Sequence, residues 1–379
     1  MIMETVDPRG VSLLRLRNRQ KALIALRDQQ GMNRGELGKF LGVTRNTATL
    51  IVNELLEEGL VCEDGEKKAI PGAGRPGKAL FLQVENLLFG GCILNEDYIS
   101  VAVGDYNGRI LKEDRISIPE VEPEKYLALV ASALKELEKK YPQIQRWGIG
   151  APGLIDETEG RIVYTARLGW RDVEVVSLLR GSLEKPCKLV NRIQAASLMS
   201  TDFLLSKGYK KALYVHLTTG VGGASLSLLP GQRHYYTEMR EIGHFCVVEE
   251  GRPCSCGNRG CLEQYAGELA VNEAISFYNQ QANSTIGARE KVFGEVGRYV
   301  GKALAQAVNL LLPEVILIDG PYVKEKIFQE QVIRICHSFG LAQVMEKIKF
   351  CFLENPKSQI FGILMVGIKE FDQEDIFYS

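Results

Sequence analysis

Three cysteines and one histidine crowd between residues 244 and 261, and no other feature of the chain constrains its fold as much. The run reads Glu241-Ile-Gly-His244, nine further residues, then Cys254-Ser-Cys256-Gly-Asn-Arg-Gly-Cys261-Leu-Glu263. Three thiolates and an imidazole make a closed tetrahedral set, the arrangement of a structural zinc ion with no open position for metal catalysis. Gly257 and Gly260 allow a loop tight enough for Cys256 and Cys261 to converge. His244, Cys254, Cys256 and Cys261 are therefore the expected metal ligands. A Cys-x-Cys pair alone would suit buried, unligated thiols; the histidine and the two glycines weigh against that reading. With nine cysteines in 379 residues, a metal site in a reducing compartment explains this cluster better than a disulfide framework. The other six read as ordinary core or surface thiols.

At 45% apolar and 25% charged, the chain has the composition of a multidomain globular protein. Its longest apolar runs, such as Val315 to Ile318 and Ile363 to Val366, fall far short of the ~20 residues of a membrane helix. The N-terminus carries no signal-peptide hydrophobic region, so a cytoplasmic location with no membrane partner is expected. Between residues 9 and 52, nine basic side chains (Arg9, Arg15, Arg17, Arg19, Lys21, Arg27, Arg34, Lys39 and Arg45) stand against Asp28 and Glu36, although the whole chain carries a net charge of -1. Such a surplus is the footprint of a nucleic-acid-binding module; a solvated helix face is the bland reading.

The same segment has the punctuation of three helices. Leu13, Leu14, Leu16, Leu23, Ile24 and Leu26 recur at helical spacing through a basic helix that ends near Gln30-Gly31. Asn33, with Glu36 three residues on, predicts a capping box and a second helix over Arg34 to Phe40, closed by Gly42. Thr44 caps a third helix from Arg45 to Glu58. Leu50, Ile51, Leu55 and Leu56 are expected to face inward, with Arg45, Asn46, Thr47, Thr49 and Asn53 on or beside the outward face. Helix, tight turn, helix is the layout whose last helix enters the DNA major groove N-terminus first. Thr44, Arg45, Asn46, Thr47 and Thr49 are the base-reading candidates, because short side chains let the backbone approach while Arg45 and Asn46 offer donors to purine edges or phosphates. Arg34 is a phosphate-contact candidate. A polar turn through Glu63 to Lys68, between Leu60-Val61 and Leu80-Phe81-Leu82, predicts a two-stranded wing. Arg75, within Pro71-Gly-Ala-Gly-Arg-Pro76, suits a narrow minor groove, and a stiff linker is an equal reading.

This order of three helices, wing and Gly-Arg-Pro resembles the N-terminal domain of ROK regulators, the repressor, open-reading-frame and kinase family, of the xylose-repressor and N-acetylglucosamine-repressor type. The Glu241–Glu263 segment resembles two blocks of that family at every position. Further blocks, Gly150-Ala-Pro-Gly153 with Ile155-Asp156, Leu168-Gly-Trp170-Arg-Asp-Val173 and Thr218-Thr-Gly220-Val-Gly222-Gly223, extend the resemblance over nearly the whole chain. From Phe89 onward, strand-like runs (Ile99 to Val103, Trp147 to Gly150, Leu213 to Leu217) alternate with helical stretches, which indicates an α/β domain. The resemblance implies a winged helix-turn-helix domain over 1–80, then a two-lobed, actin-like (ribonuclease-H-like) sugar-kinase fold with a structural zinc site. The first lobe would span 81–192, with a C-terminal segment from about 365 to 379 packing back on it, and the second 193–364. It also implies that Asn191, Glu241, His244 and Glu263 contact a sugar, His244 serving the zinc as well. Carboxylates suit sugar hydroxyls, which donate to them; support of the zinc loop is the bland reading of either glutamate.

Departures from the family pattern bear on function. Where the kinases carry an Asp-x-Gly-Gly-Thr phosphate loop, this chain has Ile93-Leu94-Asn95-Glu96-Asp97, without the glycines that let backbone N–H groups approach phosphate and with two added carboxylates. Where the family carries Glu-Asn-Asp, with the aspartate as base, this chain reads Val190-Asn191-Arg192. Arginine stays protonated and cannot accept the proton of an attacking hydroxyl, so no catalytic residue and no enzyme activity are expected. Arg167 stands where members with intact kinase pockets place asparagine. Two arginines entering the pocket suit an anionic effector, a sugar phosphate or sugar acid. In the alternative, Arg167 and Arg192 fill the old site and pair with Glu241 or Glu263. The expected function is a DNA-binding transcription regulator, a repressor of carbohydrate-metabolism genes controlled by a sugar or sugar derivative. It would act as a homodimer or higher homo-oligomer on double-stranded operator DNA, with recognition helices ~34 Å apart. The rivals are an active ATP-dependent sugar kinase, favoured by Gly150 to Gly153, Asn191 and Glu241, and an effector-blind DNA-binding protein.

Overall fold

The N-terminal helices begin and end where local chemistry dictates. The structure, a computed structural model, describes residues 8–66, 77–230, 234–281, 285–354 and 359–373. Helix Pro8–Asp28 is followed by Arg34–Leu41 and Arg45–Glu57. The Asn33 carboxamide oxygen accepts from the Gly35 and Glu36 backbone N–H groups at 2.9 Å, while the Glu36 carboxylate accepts from the Asn33 N–H at 2.8 Å, completing the capping box. Gly42, at φ 68°, supplies the left-handed turn that ends the second helix, and Thr44 caps the third. Strand Val61–Glu66 then pairs antiparallel with Lys78–Leu82. Arg75 and the rest of the intervening 67–76 segment lie outside the described residues.

Two expectations need correction. Leu50 is 62% exposed; the buried face of its helix is Ala48, Ile51, Val52 and Leu55, with Leu56 half-buried. Residues 48, 51, 52 and 55 share one stripe at 100° per residue, and Leu50 lies on the opposite face of the helix. The basic surplus is also smaller in space than in sequence. Arg15 and Arg19 pair with Glu54 and Glu58, Arg34 with Glu63 and Arg27 with Asp372, all acids beyond the window in which the surplus was counted. Arg17, Lys21, Lys39 and Arg45 stand exposed.

The body is built on two five-stranded sheets of one topology. In the first, Leu88–Leu94, Tyr98–Asp105 and Ile110–Ser117 form an antiparallel meander, and Ile144–Ala151 and Cys187–Asn191 add in parallel beside its first strand. In the second, Lys211–Leu217, Val221–Ser227 and Tyr236–Arg240 form the meander, and Val315–Asp319 and Lys349–Leu353 add in parallel. Leu88–Leu94 is buried at every position, as a strand covered on both faces must be, while the outer Ile110–Ser117 carries Lys112, Glu113, Asp114 and Arg115, which suits an edge. A three-stranded sheet of Leu154–Asp156, Arg161–Thr165 and Trp170–Val173 is not hydrogen-bonded to either but shares the first sheet's apolar core through Ile162, Trp170 and Val173. Helices Pro123–Lys140 and, on the second sheet, Thr285–Leu311 and Lys326–Phe339 contribute apolar faces to the cores. Helix Gln359–Gln373 packs on Leu88–Leu94 and Ile144–Ala151. Apolar packing is continuous from Leu23 and Leu26 of the first helix through Leu80, Phe89 and Tyr106 to Ile363, Leu364 and Phe371. No helix among the described residues is long and apolar enough to cross a membrane.

Candidate functional site

Strand ends and turns from both sheets converge on one cleft of about 360 Å³. All six residues expected to meet a ligand line it: Arg167, Asn191, Arg192, Glu241, His244 and Glu263. Arg192 begins the helix Arg192–Ser197 at the end of the strand Cys187–Asn191. Asn191 caps that helix, its side-chain oxygen accepting from the Ile193 N–H at 2.8 Å and its amide donating to the Gly153 carbonyl at 2.8 Å. Its polar groups are thus largely spent on shaping the cleft. A Glu263 oxygen accepts from the Val221 N–H at 3.1 Å, and a side chain at Gly220 would collide with both Glu263 and Arg167.

Neither arginine takes Glu241 or Glu263 as its hydrogen-bond partner. Arg192 donates to the Asn95 side-chain oxygen at 2.8 Å, and Arg167 donates to Glu96 at 2.9 Å. The Asn95-Glu96 turn therefore satisfies both arginines. Burial works against charge on Glu96, but Arg167, its own backbone N–H and Arg192 outweigh that and hold its carboxyl below the usual carboxylate value. Burial and the neighbouring Arg167 depress Arg192, which nonetheless keeps its charge, because a guanidinium is not deprotonated in proteins. The two arginines also line an adjoining cavity of about 510 Å³ with Asn95, Glu96, Asp97, Thr218 and Gln359, so they form the partition between two chambers.

One wall of the cleft is made by the cysteine loop. The ligand atoms of His244, Cys254, Cys256 and Cys261 all lie within 4.8 Å of one another. The Cys256 and Cys261 sulfurs are 3.7 Å apart, and Cys254 sulfur is 3.7 Å from His244 Nδ1. A tetrahedron with metal–sulfur bonds of ~2.3 Å has sulfur–sulfur edges of ~3.8 Å, so the donor set fits a closed four-coordinate ion. The spacing is far beyond the ~2.05 Å of a disulfide. Gly257 at φ 92° and Gly260 at φ 74° make the turn that brings Cys256 back to Cys261. Burial and the adjacent thiols push Cys261 up to about 12, the cost of crowding sulfurs that a cation's charge removes. His244 Nε2 faces Glu241 at 3.9 Å, the orientation of a carboxylate behind a ligating imidazole.

On the N-terminal unit, Arg45 and Asn46 stand exposed at the start of the third helix. The Thr44 hydroxyl meets that of Thr47 at 2.9 Å, and the Thr49 hydroxyl donates to the Arg45 carbonyl at 2.8 Å, so these three stabilise the helix start. Arg34 is committed to Glu63 at 2.9 Å and Asn53 at 2.8 Å, which ties the second helix to the third and to the ribbon.

The ROK family model matches residues 91–355, covering both sheets, the cleft and the cysteine loop. The chain belongs to the ROK family. Among curated ROK relatives, the xylose repressor of Bacillus spizizenii is 26% identical over 77% of this chain and 79% of its own length. The xylose repressor of Caldicellulosiruptor bescii is 27% identical over 82% and 84%. The DNA-binding transcriptional dual regulator NagC of Escherichia coli is 24% identical over 79% of each. Among solved structures, a ROK family transcriptional regulator described as a homolog of E. coli MLC superposes over 96% of this chain and 98% of its own, with a TM-score of 0.76 and 21% identity. A ROK glucokinase from Streptomyces griseus, solved with glucose and AMPPNP, covers 74% of this chain and 99% of its own, with a TM-score of 0.61 and 20% identity. The mixed α/β fold is thus the one shared by ROK repressors and ROK sugar kinases, and the regulator's match extends over the N-terminal helices as well.

Sequence reasoning passed over some ROK cleft residues. Thr165 lines the cleft, is 1% exposed, and its hydroxyl has no hydrogen-bond partner among the described residues. A lone threonine after Arg161-Ile-Val-Tyr164 carries no motif, so no local signal pointed to it. Asn95 and Glu96 were read as groups that repel phosphate; their role as partners of the two arginines depends on contacts 97 and 71 residues away.

Proposed function

We propose that this chain is a sugar-responsive, DNA-binding transcriptional repressor whose kinase-like body senses a ligand and does not transfer phosphate. The observation that carries this reading is the mutual pairing of Arg192 with Asn95 and Arg167 with Glu96, which puts two cations and a carboxylate where phosphoryl transfer needs a proton acceptor and an open phosphate cradle. The names of curated relatives, xylose repressor and N-acetylglucosamine repressor, support it. The described helices and strand pair between residues 8 and 82 serve as a winged helix-turn-helix head, with Arg45 and Asn46 at the base edges and Thr44, Thr47 and Thr49 at the helix start. Two heads in a homodimer meet successive major grooves of a palindromic operator.

In this reading Glu241 and Glu263 accept from sugar hydroxyls, His244 donates from Nε2 to a sugar oxygen while Nδ1 faces the zinc, and Asn191 shapes the cleft floor. His244, Cys254, Cys256 and Cys261 hold a structural zinc, which when bound supplies the charge that keeps three thiolates together and fixes His244 against the cleft. A sugar phosphate or sugar acid is favoured over a neutral sugar by one observation: Arg167 and Arg192 share a cleft wall, and while Glu96 pairs with Arg167, the side chain that Arg192 donates to is the neutral Asn95. Thermal-shift screening tests this, with stabilisation by anionic sugars expected and stabilisation by neutral sugars alone contradicting it.

Binding-site selection from random duplexes with purified protein tests the DNA-binding reading. Enrichment of a two-fold symmetric motif with half-sites one helical turn or a multiple apart is expected; a pool that stays random contradicts it.

A further inference from the structure

One helix joins the cleft to the N-terminal head. Gln359, at the start of helix Gln359–Gln373, lines the chamber that contains Arg167, Arg192 and Glu96. Its side chain meets His216 Nε2 at 2.6 Å. His216 is buried in the second sheet with Nδ1 3.0 Å from Asp319, which also accepts from the Tyr214 hydroxyl at 2.6 Å. That partner occupies the Nδ1 proton and leaves Nε2 to accept from the Gln359 amide. The contact crosses from the second sheet to a helix that packs on the first.

Along its length this helix has no room to slide. A Cβ at Gly362 would sit 2.3 Å from the Ala195 carbonyl oxygen, and one at Gly148 would sit 2.1 Å from the Ile363 carbonyl oxygen. The Gly362 contact is made to Arg192–Ser197, the helix that Arg192 begins, so the cleft touches the rod at two points. At about 1.5 Å per residue, Asp372 lies ~20 Å further along. There its carboxylate, fully shielded from solvent, forms an ion pair with Arg27 of the first helix at 2.8 Å and accepts from the Tyr106 hydroxyl at 2.5 Å, with His234 at 3.6 Å. Arg27 lies over the Tyr106 ring, 4.5 Å from its centroid, and the buried Gln20 amide donates to the Phe371 carbonyl at 2.6 Å.

We propose that helix Gln359–Gln373 transmits the state of the cleft to the head, with Gln359 and His216 as its cleft-side contact and Asp372 and Arg27 as its head-side clamp. These are positioning residues, acting through the packing of the rod, and they set the angle at which the first helix leaves the body. A shift of the second sheet against the first pulls at Gln359, and a rod locked backbone to backbone tilts with the Arg192–Ser197 helix as one body instead of sliding, so the buried ion pair feels a change of angle. What is transmitted rests on the sensor reading above; the mechanical link does not.

Coupling of this kind is reciprocal, so a change at either end alters local stability at the other. Hydrogen exchange on the full-length chain, without sugar or DNA, therefore tests the link independently of the sensor reading. In Gln359→Ala, amides of residues 18–28 should exchange at least about fivefold faster while those of helix Pro123–Lys140 stay unchanged. In Asp372→Asn, the Arg192–Ser197 and 218–222 segments should respond in the same way. Changes confined to the mutated end, or spread evenly over the chain, overturn the proposal. Should Asp372→Asn fail to fold, Gln359→Ala, which removes no buried charge, decides alone.

Discussion

Arg192 and Asn95 stand 97 residues apart in sequence and 2.8 Å apart in space, joined by a hydrogen bond across the position where a ROK kinase would bring a proton acceptor to its phosphate loop. On the proposed reading, a cation in place of the base and a turn without the glycine cradle act as one structural change. Restoring a carboxylate alone should not restore chemistry. In an ATP-coupled assay over a panel of hexoses, neither the wild type nor Arg192→Asp is expected to turn over, since the base supplies only ~10²–10⁴-fold and Asn95-Glu96-Asp97 still offers no phosphate site. ADP release above background by the wild type would identify the chain as a kinase.

Metal content gives a second test. One zinc per chain is expected, and Cys256→Ser should lose it. His244 and Cys256 both line the cleft, so chelation should lower the melting temperature and weaken ligand-induced stabilisation together. A metal-free protein whose ligand response equals that of the loaded protein would separate the zinc loop from the cleft.

The DNA-facing candidates divide into two groups with different expected outcomes. Arg45→Ala should relax preference at a single operator position, at a cost of about 1–3 kcal/mol for the favoured base, if selection is repeated with the variant. Lys39→Ala should weaken all duplexes alike. Arg34→Ala should instead loosen the head, because Arg34 links Glu63 and Asn53, and about 1 kcal/mol of stability is its expected effect. Unchanged stability with uniformly weaker binding would return Arg34 to the phosphate contacts.

Acid stability carries the signature of Glu96 and Glu63. Burial opposes charge on each, but Arg167 holds Glu96, and Arg34 and Lys78 hold Glu63, below the ordinary value of 4.5. A carboxyl depressed in the folded state contributes stability that is fully present above its unfolded value and lost as pH falls through the folded value. The stability difference between wild type and Glu96→Gln should therefore be constant above about pH 5 and shrink below 4.5 in a calorimetric pH series. A difference that stays constant into acid would show that the Arg167 pair contributes nothing through charge.

What could be read from sequence was local. The metal set falls within eighteen residues, and the caps at Asn33, Gly42 and Thr44 act over three or four, so both emerge from spacing alone. The family blocks marked the cleft residues because each block is contiguous. Contacts made only by tertiary packing stayed hidden: Arg167 with Glu96, Arg27 with Asp372, and the acids Glu54, Glu58 and Glu63 that offset the basic helix. Leu50 failed for another reason, since leucine marks a helix face only statistically and the packing neighbour decides which stripe is covered.

Anisotropy titration of a labelled duplex obtained by selection, repeated with each sugar that stabilises the protein, bears most directly on a sugar-controlled grip on DNA. At least one such sugar is expected to change the affinity about fivefold or more. Superimposable binding curves with and without a sugar that demonstrably occupies the cleft would contradict the account.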